Sequence, residues 1–163
     1  MSDFDKVIDD VIKREGGAKA TNDPADKGGR TQFGISEKAN PEAWKDGVVT
    51  DQEAREIYLK KYVVGPGFHR IPPSHKSTQT QLIDFFVTSG YVATKKLQEI
   101  LKVEADGIFG SETLKAMLGV DDRTLNNLLM AARVKMVGGI VKRDPSQNRF
   151  LVGWLERFLS FLK

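Results

Sequence analysis

The sequence predicts a mainly α chain: a helical bundle with one small β-hairpin or loop element near the N-terminus. Three observations lead there. Apolar residues recur at helical spacing, beginning with Phe4, Val7, Ile8, Val11 and Ile12, which follow the i, i+3, i+4, i+7, i+8 pattern of one buried helix face. Only residues 31–35 read as a strand, and a short one. Helix starts and stops punctuate the rest of the chain.

The elements follow in order. Ser2 is positioned to cap the first helix, with Asp3 and Asp5 beside its positive end, and Gly16-Gly17 stops it. Residues 18–36 are rich in Gly, Asp, Asn and Lys and read as a loop or short hairpin. Thr50-Asp51-Gln52-Glu53 is a capping box that opens a helix through Ile57, Tyr58 and Tyr62. Gly65-Pro66-Gly67 ends it, and Pro72-Pro73 makes a further break. A helix over 77–89 carries Leu82, Ile83, Phe85, Phe86 and Val87, an apolar surface wide enough for a central, buried position. Another helix follows Gly90 through Leu97, Ile100 and Leu101. The turn Asp106-Gly107-Ile108-Phe109-Gly110 precedes a short helix capped by Ser111. Helices over 122–142 and 146–162 finish the chain, the second capped by Ser146 after Asp144-Pro145. The sequence divides into a lobe over 1–90 and a helical lobe over 91–163, packed as one globular unit.

Composition narrows the function. The 163 residues suffice for one domain or two small lobes. There is no cysteine, so disulfide frameworks and thiolate metal sites are excluded. No run approaches the ~18 apolar residues of a membrane span, so no stable membrane insertion is expected. The acidic N-terminus reads as neither a signal peptide nor an anchor. The net charge of +3 favours approach to polyanions, but no dense Lys/Arg stripe marks a nucleic-acid binder. Gly28-Gly29 lacks the GK[ST] of a phosphate loop. The acidic loop misses calcium-loop spacing, and His69 and His75 have no supporting ligand cluster. No metal and no cofactor are expected.

Chemistry concentrates in residues 14–35. Glu15 closes the first helix, where the dipole disfavours negative charge and favours the protonated form that a general acid needs. The adjacent Gly pair leaves room for a polymer to approach. The segment beyond holds two carboxylates, Asp23 and Asp26, and Thr31. Such a set can place an acid and a water-activating group on opposite sides of one bond, as glycoside hydrolysis requires. Gln32, Phe33, Tyr58 and Tyr62 are the candidates for contacts to sugar, each with a structural role as its alternative.

These residues carry a family resemblance. Glu15-Gly16-Gly17, followed by the run from Asn22 through Asp26, Gly28-Gly29, Thr31 and Ser36, resembles the signature of glycoside hydrolase family 108, the lysozyme-like muramidases of phage endolysins and bacterial secretion systems. Residues 50–71 resemble the family's acidic helix and aromatic exit, and 82–90 its central buried helix. Residues 105–117 and 143–158 resemble the peptidoglycan-binding-type region that accompanies it. The sequence departs from the pattern at Ala18, Val63 and Thr88, and its loop between Glu15 and Asp26 is longer.

The resemblance implies an α+β lysozyme-like fold and cleavage of the β-1,4 bond between N-acetylmuramic acid and N-acetylglucosamine. Glu15 is then the acid. Asp26 matches the aspartate of the family's DxGGxT segment, with Asp23 as its rival, and Thr31 matches the family threonine that holds the attacking water. A lytic transglycosylase, which needs the acid but no activated water, and a non-catalytic wall-binding protein are the alternatives. The implied partner is the glycan strand of peptidoglycan, met by a monomer. The implied route is accumulation in the host bacterial cytoplasm, followed by holin-dependent or secretion-system release.

Overall fold

The computed structural model describes residues 4–22 and 29–162, in a mainly α fold. The chain divides into two compact units, Met1–Gly65 and Pro66–Lys163. Among the described residues, no helix is long and apolar enough to cross a membrane.

In the first unit, helix α1 (Asp5–Arg14) buries Val7, Ile8, Val11 and Ile12. Burial at about 1.5–3 kcal/mol per side chain sustains so short a helix, which would be marginal alone. Ser2 and Asp3, expected at the cap, lie outside the described residues, and within them the helix follows Phe4 without a side-chain cap. Its end is a Schellman closure: the Gly17 amide donates to the Ile12 carbonyl at 3.0 Å, and Gly16 and Gly17 take φ of +106° and +61°. Glu15 is the C-cap residue.

The single strand expected over 31–35 is instead a hairpin of β1 (Thr31–Gln32) and β2 (Ile35–Ser36), paired Thr31 to Ser36 and Gln32 to Ile35. Phe33 and Gly34 both have positive φ, 52° and 73°, as the two central residues of a type I′ turn must. That turn folds the apolar run back on itself after two residues. A short 3₁₀ turn, Pro41–Trp44, follows, and the buried Trp44 indole donates to the Ile35 carbonyl at 3.2 Å.

Helix α2 (Asp51–Tyr58) opens on the expected capping box. Thr50 Oγ1 accepts from the Glu53 amide at 3.2 Å, and the Glu53 carboxylate accepts from the Thr50 amide at 2.9 Å. It runs on as a π-helical segment, Leu59–Val64. The Gly65 amide closes that segment on the Lys60 carbonyl at 2.8 Å; a Cβ at residue 65 would stand 2.9 Å from the same oxygen, so only glycine fits without a shift. An ion pair from Arg55 to Asp9 ties α2 to α1.

The second unit is helical: α3 (Lys76–Ser89), α4 (Tyr91–Leu101), α5 (Ser111–Leu118), α6 (Asp122–Arg143) and α7 (Asn148–Leu159). Helix α3 lies at its centre, packed on α4 and α6, and α6 in turn packs on α7. Leu82, Ile83, Phe85 and Phe86 are buried as expected. So are Gln79, Gln81 and Asp84, and each has a partner. Gln81 donates to Asn126 Oδ1 at 3.1 Å, and Asn126 donates to the Phe161 carbonyl at 2.7 Å. Asp84 accepts from Arg133 at 2.8 Å and from Arg157 Nε at 3.0 Å, joining α3, α6 and α7.

Two expected caps are replaced by neighbours. Helix α5 starts after Gly110 without a side-chain cap, so Ser111 is its first residue and not its cap. Asp144, not Ser146, accepts at the start of the last segment: it takes the Ser146 amide at 3.1 Å and the Ser146 hydroxyl at 2.6 Å. The Ser146 hydroxyl donates to that carboxylate, so Asp144 is the residue that caps the segment. The 106–110 turn has the structural role its glycines suggest: buried Gln98 accepts from the Gly107 amide at 2.8 Å and donates to Asp106 at 2.7 Å. His75 is buried and its ring Nε2 donates to the Val120 carbonyl at 2.8 Å.

Candidate active site

The end of α1 and the hairpin are stitched together by backbone bonds. The Phe33 amide donates to the Gly17 carbonyl at 2.9 Å, and Thr21 and Thr31 exchange amide bonds of 2.8 and 2.9 Å. Glu15 and Thr31 therefore sit on one small framework within the first unit. Asp23 and Asp26 lie outside the described residues.

Gly34 sets the position of Glu15. A Cβ at residue 34 would stand 2.8 Å from Glu15 Cβ and 2.6 Å from the Tyr58 hydroxyl. Only a residue without a side chain lets the turn close against both. The Tyr58 hydroxyl donates to the Phe33 carbonyl at 3.0 Å and pins the turn from the α2 side. Phe33, a non-glycine residue at positive φ, is buried, and packing holds it in a conformation that costs about 1–3 kcal/mol. Strain of that size, next to a half-buried carboxylate, is the pattern of a positioned functional group.

The other sequence candidates take distinct places. Gln32 donates to the Ala18 carbonyl at 3.0 Å and accepts from the Val49 amide at 3.1 Å, so its amide braces two loops. Phe33 and Tyr58 are buried, and the Tyr58 hydroxyl lies with Glu15 against Gly34. Tyr62 is half-buried, with its ring 5.3 Å from that of Tyr58, and of these rings it is the one with a partly open face. Thr31 is half-buried, with its hydroxyl 3.5 Å from the Gly29 carbonyl.

Neighbouring carboxylates are committed elsewhere. Glu37 receives Arg30 through two bonds, of 2.9 and 2.7 Å, and Arg30 lies 4.9 Å over the Trp44 ring. Those bonds hold the Glu37 carboxyl below the usual carboxylate range, so it stays ionised and is a poor proton donor. Glu53 is likewise held low by the Thr50 amide and hydroxyl of the capping box. Asp51 and Asp9 both hold Arg55. A cavity of about 470 Å³ between the 3₁₀ turn and α2 is lined by Asn40, Pro41, Glu56 and Lys60, and none of the site residues lines it.

Trp44, Arg30 and Gly34 were not among the sequence candidates. The only advance signal for Gly34 is its place in a two-residue turn, which Phe33 disguises because Asn or Asp usually precedes such a glycine.

A helix end anchored by peptide bonds to a strained hairpin, with the Glu15 carboxylate at the junction, agrees with the family comparison. The model of glycosyl hydrolase 108 matches residues 8–90, and the chain belongs to that family. A model described as a predicted peptidoglycan domain matches residues 92–159. The protein is a glycoside hydrolase that acts on peptidoglycan. Among solved structures, the chain is similar to Brucella abortus SagA, with 29% identity over 97% of this chain and 90% of that one, and a TM-score of 0.75. No curated protein matches it.

Proposed function

We propose that the protein is a muramidase that hydrolyses the β-1,4 bond between N-acetylmuramic acid and N-acetylglucosamine, with Glu15 as general acid. The observation that carries this reading is the seating of Glu15 against Gly34 and the Tyr58 hydroxyl at the closed end of α1. In this reading the Glu15 proton passes to the glycosidic oxygen as the bond from the muramic anomeric carbon breaks. Water adds to that carbon, and its proton goes to a base. Asp26 is the proposed base on sequence grounds, and Thr31 orients the water. A second carboxyl roughly 6.5–9.5 Å from the first would leave room for that water and give inversion.

Tyr62 is the proposed sugar platform, because its ring is only half-buried. Gln32, Phe33 and Tyr58 serve the substrate indirectly, by fixing the hairpin on which Thr31 stands. Product mass spectrometry on purified peptidoglycan tests the reaction. Hydrated reducing ends carrying one heavy oxygen from labelled water are expected. Anhydro-muramic ends would instead make the protein a lytic transglycosylase, and no released fragments would make it a wall-binding module.

A further inference from the structure

The second unit carries a groove of about 610 Å³ between α4 and α6, well away in sequence from Glu15 and wholly inside the stretch that matches the peptidoglycan domain. Helix α6 builds its floor with one face: Leu128, Ala132, Met136 and Gly139 recur at steps of three or four residues. Ala131, Ala132 and Gly139 keep that floor low. A Cβ at residue 139 would lie 3.3 Å from the Arg143 guanidinium, so the absence of a side chain at Gly139 lets this arginine pack close over the α6 backbone at the groove.

The rim is cationic. Lys96 is neutralised by Glu99 at 2.7 Å, whereas Lys135 and Arg143 have no carboxylate within ion-pair distance among the described residues. Two uncompensated cations over an apolar floor call for a ligand with carboxylates and small aliphatic groups. The glycan strand does not fit that description, since N-acetylated sugars are neutral and no aromatic ring lines the groove for them to stack on. The peptide side chains of peptidoglycan do fit: they are short, rich in alanine and bear free carboxylates. The volume of about 610 Å³ is that of a small-ligand site.

We infer that the α4–α6 groove binds the carboxylate-bearing stem peptide of peptidoglycan, with Lys135 and Arg143 taking its carboxylates. The inference rests on the reading of the protein as a peptidoglycan-acting enzyme, and it adds a second point of attachment to the same polymer.

Calorimetric titration of the full chain with free stem tetrapeptide tests it. Binding is expected to weaken about tenfold in the double variant Lys135→Ala with Arg143→Ala, as loss of two partly exposed ion pairs implies. The same tetrapeptide with every carboxyl amidated should lose binding comparably to the unaltered protein, an arm that needs no variant. Lys115→Ala, which lies outside the groove, should bind as the unaltered chain does. Equal binding of free and amidated peptide would overturn the assignment, as would loss of binding in Lys115→Ala. Binding to anionic phospholipid vesicles that the double variant loses, without binding of tetrapeptide, would also overturn it. A chain that clears peptidoglycan but gives no signal at millimolar tetrapeptide sinks the groove and leaves the muramidase reading intact. A chain that binds tetrapeptide but releases no fragments does the reverse.

Discussion

In the first unit, charge stays near the surface: the Arg30–Glu37 side chains are 40% and 39% exposed, and Arg55 reaches to exposed Asp51. In the second unit, the Asp84–Arg133 pair is 0% exposed on both sides, and Arg133 lies 4.2 Å over the Phe158 ring and 4.9 Å over Phe85. The contrast separates two ways of fixing a structure. Helices α3, α6 and α7 are registered by a buried ionic spine that fails badly if one member is lost. The site end is registered by backbone: a Schellman closure, a type I′ turn and a glycine with no space for a methyl group. A hairpin of two-residue strands has too little surface to bury charge, so it relies on geometry.

Four substitutions sharpen that contrast. Asp84→Asn should have the largest effect, about 3–5 kcal/mol of unfolding free energy, because two guanidinium groups lose their common counter-ion. Urea unfolding followed by helical circular dichroism reads it. A normal midpoint with lost wall cleavage would mean that the spine is functional and not structural.

Gly34→Ala comes next, at roughly 2–4 kcal/mol, from positive φ and overlap with Glu15 and Tyr58 together. Its cleavage rate should fall about 10²-fold, since displacement of a catalytic group by an ångström costs that much. Full activity would remove Gly34 as the element that positions Glu15. Tyr58→Phe should cost about 1–3 kcal/mol by leaving the Phe33 carbonyl without its donor, with a smaller loss of rate.

Asp122→Asn is the smallest, about 1–2 kcal/mol, the value of a helix cap. Burial works against the Asp122 carboxylate, but bonds from Thr78 at 2.8 Å and Ser77 at 3.0 Å outweigh it and hold the group below its ordinary range. A carboxyl depressed on folding stabilises the protein above its unfolded pKa of ~3.9 and loses that contribution as pH falls through the folded value. The unaltered protein should therefore lose stability on acidification below about pH 4, and Asp122→Asn should flatten part of that slope. Parallel pH–stability curves for the two proteins would rule out the cap.

The same contrast explains what was legible. The capping box at Thr50 and the glycine stop after Glu15 are local motifs, and both formed as read. The hairpin was half legible, because a phenylalanine at positive φ contradicts the usual turn chemistry and is sustained by burial, the bond to Gly17 and the Tyr58 bond. The cap of α3 was invisible, since Asp122 is more than forty residues from the amides it accepts. Asp84 carried a signal that the apolar run obscured: a carboxylate inside a helix buried on all sides requires a cation, though no spacing says which one. Of the site, Glu15 and Thr31 fall on joined segments, whereas the work of Gln32 and Tyr58 as braces depends on backbone partners that no side-chain pattern encodes.

The most direct test of the central claim is the clearing rate of purified peptidoglycan by Glu15→Gln, measured beside its unfolding midpoint. The expected result is a fall of about 10²–10⁴-fold, the share of a general acid, with the midpoint unchanged. Clearing within roughly threefold of the unaltered protein would contradict the assignment, because no positioned acid contributes so little.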